Sequence, residues 1–104
     1  MKPNPLLLLI AFVVFLTSAT IAPAAETAKP LIVGMELAYP PFEMTDTSGK
    51  PSGVSVDLAT DLAKSLGRPV LIQNTSFDGL IPALKTCKVD LVISSMTATA
   101  ERAQ

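Results

Sequence analysis

Between residues 31 and 94, three short apolar runs alternate with two segments of helical period, and few architectures satisfy that order. Leu31-Ile32-Val33-Gly34-Met35-Glu36-Leu37 is apolar at nearly every consecutive position rather than at alternate ones, which fits a strand covered on both faces of a parallel sheet. Residues 70–73 and 89–94 carry the same signal. After residue 55 the period changes. Leu58, Leu62 and Leu66 fall at i, i+4 and i+8, with Ala59 and Ala63 beside them and Asp57, Asp61 and Lys64 elsewhere. Ser55 is suited to cap the start of this helix and Gly67 its end, with Pro69 just beyond. A second helix is predicted over about residues 78–88, with Asp78 as a cap and Pro82 in the first turn, where its missing N–H does least harm. The β-α-β-α-β order predicts an α/β fold with a parallel sheet and right-handed crossovers.

The first strand is stopped by Tyr39-Pro40-Pro41-Phe42, with Tyr39 assigned to a site and Phe42 to the core. Residues 46–53 are dense in turn formers and read as a loop or the tip of a small hairpin. In open sheets of this kind, ligands bind beyond the carboxyl ends of the strands, where strand order reverses. A spatial order of 2-1-3 places that point between the first and third strands. Glu36 and Tyr39 leave the first, Ser94, Ser95 and Thr97 leave the third, and Phe77 follows the second. The bland readings are a staple for Phe77, satisfied strand-end backbone for the two serines, and water at a strand end for Glu36.

Thr99 reads as the N-cap of a further helix, with Ala100, Glu101 and Arg102 as its first turn. Arg102 then lies at the positive end of a helix dipole, a position that favours an anion beside it. A guanidinium fork there can grip a carboxylate with two hydrogen bonds, helped by the Ser95 and Thr97 hydroxyls. A solvated arginine, or one paired with Glu101, fits the same residues.

Ahead of the fold, residues 1–24 have the form of a signal peptide. Lys2 precedes an unbroken apolar run of 11 residues, 6–16, and Ala22-Pro23-Ala24 offers small residues at a cleavage site. The run is short against the ~20 residues of a spanning helix. Residues 25–104 would then form the folded part. The net charge of −1 lacks the clustered Lys and Arg that nucleic acid or anionic lipid requires. With one cysteine, Cys87, and no histidine, the chain holds no intrachain disulfide, no Ser-His-Asp triad and no cysteine- or histidine-built zinc site.

Four blocks carry a family resemblance: Leu31-Ile32-Val33-Gly34 with Ala38-Tyr39-Pro40-Pro41-Phe42-Glu43; Gly53-Val54-Ser55-Val56-Asp57-Leu58; Ser76-Phe77-Asp78-Gly79-Leu80-Ile81-Pro82-Ala83-Leu84; and Asp90-Leu91-Val92-Ile93-Ser94-Ser95-Met96-Thr97 with Glu101-Arg102. In this order they resemble the extracellular solute-binding proteins of family 3, periplasmic receptors for polar amino acids that feed ABC importers. The resemblance implies the first part of lobe I of a two-lobed, type II periplasmic binding protein, with the second lobe absent from this chain. By the same resemblance, Arg102 and Thr97 take the ligand α-carboxylate, Ser95 and Thr97 contact its α-amino and α-carboxylate groups, and Ser94 lies near its side chain. Tyr39 and Phe77 sandwich that side chain, and Glu36 reads its distal end, which favours a basic amino acid. A permease in the inner membrane, a periplasmic location, a monomer, no cofactor and no enzyme activity follow as expectations, with weak or no binding by this chain alone. The first lobe of cyclohexadienyl dehydratases, of some lytic transglycosylases, or of a membrane sensor is the alternative. Cys87 stands where the family usually has glycine.

Overall fold

The computed structural model describes residues 28–104, so the signal-peptide reading lies outside the described residues. β1 (Leu31–Met35) is the central strand of a three-stranded parallel sheet, flanked by β4 (Val70–Asn74) and β5 (Leu91–Val92). The register sets Leu31 opposite Val70 and Met35 opposite Asn74 on one side, and Val33 opposite Leu91 on the other. The spatial order of the three strands is therefore the expected 2-1-3. The third strand is shorter than its apolar run, two residues instead of six, and just beyond it Ser94 turns its hydroxyl to the Glu36 N–H.

Helices cover both faces of β1. Leu31, Val33 and Met35 meet Ala59 and Ala63 of α1 (Val54–Ser65), forming the main core. On the opposite face, a Cβ at Gly34 would lie 3.3 Å from Leu80 Cδ2 and from Val89 Cγ1, so α2 (Phe77–Lys85) packs close there. The inward face of α1 is narrower than its apolar pattern. Leu58 and Leu66 are 58% and 55% exposed, and the stripe turned inward is Ser55, Ala59 and Ala63. A helix lying flat on a short sheet comes nearest through its smallest side chains, and the leucine stripe one residue away points outward.

Two cap assignments also change. The N-cap of α1 is Gly53 at φ 114°, where a Cβ would fall 2.4 Å from the Phe42 carbonyl oxygen. The first helical N–H groups, at Val54 and Ser55, instead donate to the carbonyls of Pro41 and Phe42. The N-cap of α2 is Ser76, which leaves Asp78 in the first turn and Pro82 in the helix interior. The C-terminal expectation for α1 holds. Gly67 adopts φ 66°, its N–H donates to the Lys64 carbonyl and that of Arg68 to the Ala63 carbonyl, closing a Schellman motif.

The turn-former cluster forms a hairpin, β2 (Met44–Thr45) against β3 (Pro51–Ser52). At its tip the Asp46 carboxylate accepts from the Ser48 hydroxyl and from the N–H groups of Ser48 and Lys50. The Ser48 hydroxyl, then the Lys50 N–H, hold this carboxyl below its ordinary range.

Candidate functional site

The loop that leaves β1 is shaped by its own backbone. Tyr39 and Glu43 form an isolated antiparallel bridge, the Tyr39 N–H donating to the Glu43 carbonyl at 2.8 Å and the Glu43 N–H to the Tyr39 carbonyl at 3.1 Å. The Pro40–Pro41 peptide inside it is cis. This turn throws Tyr39 outward and also exposes Phe42, which is 43% accessible and stacks on Tyr39 with ring centroids 5.5 Å apart. Phe42 is therefore not a core residue; the turn reserves the buried position for Glu43.

Side chains from neighbouring strands fix the remaining walls. Ser94 Oγ accepts the Glu36 N–H at 2.9 Å and Asn74 Oδ1 accepts the Leu37 N–H at 3.0 Å, which pins the first residues beyond β1 to the ends of β5 and β4. Ser94 is buried and performs the strand-end task its bland reading gave it. Ser95 follows in a left-handed backbone at φ 50°, and its hydroxyl donates to Glu43 Oε2 at 3.1 Å. Phe77 opens α2 on the far side.

These residues enclose a cavity of about 250 Å³ at the carboxyl edge of the sheet, lined by Glu36, Ala38, Tyr39, Glu43, Phe77, Ser94 and Ser95. Five of the seven residues expected at a site thus meet in one cavity: Glu36, Tyr39, Phe77, Ser94 and Ser95. Thr97 and Arg102 do not line it. They border a separate depression with Ile81, Leu84 and Met96. Arg102 donates to the Thr97 carbonyl at 2.7 Å and holds its guanidinium carbon 5.7 Å from the centre of the Phe77 ring. The cap bond expected at Thr99 is present, its hydroxyl accepting the Arg102 N–H at 3.2 Å, although residues 100–103 form a turn and not a helix.

Glu43 is the residue whose role the sequence left unassigned. It is 1% exposed, and its Oε2 accepts the Ser55 hydroxyl from α1 as well as that of Ser95. Its only signal was an acid closing a Pro-Pro-Phe turn, because the two serines lie 12 and 52 residues away. Among the described residues, no basic side chain lines the cavity. The ion pair among the described residues, Arg68 with Asp90 at 3.4 Å, belongs to another part of the molecule.

A parallel sheet with such a cavity at its carboxyl edge, walled by two carboxylates, two rings and two hydroxyls, is a lobe built to take a small polar molecule. Residues 31–104 match the profile of bacterial extracellular solute-binding proteins, family 3. The chain belongs to this family. It is 41% identical over 80 residues to the L-arginine-binding protein of Pseudomonas aeruginosa, covering 77% of this chain and 31% of that protein. The arginine-bound form of domain 1 from TmArgBP of T. maritima superposes with a TM-score of 0.69 at 48% identity, over 70% of this chain and 58% of the other. The ancestral amino acid-binding protein AncCDT-1, described as a precursor of cyclohexadienyl dehydratase, gives 0.68 at 48% identity, over 70% and 32%. The chain spans about a third of the length of the curated relatives it matches, and its fold corresponds to part of domain 1 of TmArgBP.

Proposed function

We propose that this chain supplies the first part of lobe I of an amino acid receptor, the substrate-binding component of an ABC importer that takes up a basic amino acid in the periplasm. The observation that carries the reading is the cavity itself: Glu36 and Glu43 stand with the Tyr39 and Phe77 rings around about 250 Å³, with no basic residue in its lining among the described residues and the Arg102 guanidinium held over Phe77 beside it. A ligand ammonium or guanidinium meets carboxylates and ring faces together, both of which attract it. The amino acid side chain lies between Tyr39 and Phe77 with its charged end toward Glu36. Ser94 and Ser95 border its path, and its α-carboxylate is taken by Arg102 and Thr97. Arg102 reaches that anion by exchanging its hydrogen bond to the Thr97 carbonyl for a two-pronged grip, pivoting over Phe77. The working partners are the ligand and a permease in the inner membrane; a leader over residues 1–24, cleaved on export, and a monomeric state complete the proposal. No chemistry is performed on the ligand.

The arginine-bound form of domain 1 from TmArgBP supports binding by a first lobe without its second. Isothermal titration of the 104-residue chain with arginine, lysine, ornithine and histidine is therefore expected to give a dissociation constant below about 1 mM for at least one of them. Tight binding of an aliphatic or acidic amino acid and none of a basic one would overturn the reading. A second reading, the first lobe of a same-fold enzyme such as a cyclohexadienyl dehydratase, is favoured by the likeness to AncCDT-1. Turnover of a cyclohexadienyl substrate by the chain joined to the second lobe of a family member, without basic amino acid binding, distinguishes it.

A further inference from the structure

The peptide N–H groups on either side of the Glu36 Cα are both taken by side chains from other strands or their ends. The Glu36 N–H donates to Ser94 Oγ at 2.9 Å and the Leu37 N–H to Asn74 Oδ1 at 3.0 Å, across 58 and 37 residues of sequence. The ladder of β1 with β4 ends at the Met35–Asn74 pair, after which the Thr75 N–H still donates to the Met35 carbonyl and the chain turns into α2. Asn74 Oδ1 therefore stands in for the backbone acceptor that the ladder no longer offers to Leu37. The next link is local: the Ala38 N–H donates to the Glu36 carbonyl at 2.8 Å, and Ala38 lines the cavity with Glu36. Ser94 lines that cavity too, whereas Asn74 does not and is exposed. The Asn74 bond thus steadies Glu36 from outside the ligand's path. A backbone held on one side only leaves its side chain freer to swing, and a polar group misplaced by about 1 Å loses much of its hold on a fixed partner.

We propose that Asn74 is a positioning residue for ligand selection: by holding the Leu37 N–H it aims the Glu36 carboxylate at the charged end of the ligand's side chain, and so sets the preference for a cation over a neutral group of the same shape. The proposal rests on the amino acid-binding reading above and adds to it a residue outside the pocket. A tie of structural value alone would, when cut, weaken every ligand alike. Aspartate at this position keeps an oxygen that accepts from Leu37, and raised salt screens the added charge at so exposed a place.

The test is isothermal titration, in about 0.5 M salt, of wild-type chain, Asn74→Ala and Asn74→Asp with arginine and with citrulline, whose neutral ureido group replaces the guanidinium. Wild type is expected to favour arginine, N74A to lose about fivefold of that preference, the worth of one hydrogen bond, and N74D to retain it. No preference in wild type, equal weakening of both ligands in N74A, an unchanged preference there, or a loss shared by N74D overturns the role of Asn74 and leaves the pocket reading standing. Wild type that binds neither amino acid removes the pocket reading and this proposal with it. Should N74A not fold, amide hydrogen exchange in wild type decides the matter. A Leu37 N–H slowed by arginine more than by citrulline supports the proposal, and one slowed equally by both or by neither sinks it.

Discussion

Cys87 shows most plainly how one residue can oppose the backbone it serves. It occupies the C′ position of α2 at φ 59°, its N–H donating to the Leu84 carbonyl and that of Lys88 to the Ala83 carbonyl. The hydrogen bonds are those that Gly67 completes for α1, so the geometry wants the same residue. A left-handed non-glycine residue costs roughly 1–2 kcal/mol, part of which glycine returns as extra freedom in the unfolded chain. Cys87→Gly is expected to stabilise the chain by about 1 kcal/mol, a rise of ~4–8 °C in Tm for a domain this small. An unchanged or lower melting temperature by calorimetry would show that the exposed thiol end of this helix has a compensating contact. Arg102, by contrast, satisfies its local geometry with the Thr99 hydroxyl and the Thr97 carbonyl. Its proposed ligand role depends on releasing the latter.

At the scale of elements, α1 separates the apolar pattern from the packed face. Its leucines form the more conspicuous stripe, yet its alanines touch Leu31, Val33 and Met35. Ala59 is 0% exposed, so Ala59→Leu must push the helix from the sheet, an overpacking expected to cost about 1–3 kcal/mol. Leu58→Gln, one position along and 58% exposed, is expected to change stability by less than about 0.5 kcal/mol. Urea denaturation of the two variants reads the difference directly; equal losses would mean that the leucine stripe is also buried in solution.

Across the whole molecule, the two ends of the sheet do different work. At the amino edge, Arg68 donates from Nε to the Lys29 carbonyl, and from Nη2 to the Pro30 carbonyl and Asp90 Oδ2, while Asp90 Oδ2 also accepts the Ile32 N–H. One side chain after α1 thereby joins the entry to β1 with the approach to β5. The cavity lies at the opposite edge. Arg68→Ala is expected to lower stability by about 1–2 kcal/mol, through three lost hydrogen bonds of modest net value, and to leave the arginine dissociation constant unchanged. A loss of ligand affinity matching the loss of stability, measured by titration well below Tm, would show that the two edges are mechanically linked.

Periodicity by itself determined three strands, two helices and their parallel order, because consecutive apolar positions and a four-residue repeat are local properties of the chain. It also brought Glu36, Tyr39, Phe77, Ser94 and Ser95 to one rim, since ends of adjacent parallel strands share an edge. Only the tertiary structure decided that α1 faces inward through its alanines, that Phe42 stays outside while Glu43 goes in, and that Arg102 rests beside the cavity rather than within it. Each of these turns on a distance between residues far apart in sequence: helix to sheet, Glu43 to Ser95, guanidinium to ring. Close packing selects the small stripe and the buried acid, and no repeat in the chain encodes how near two distant segments come.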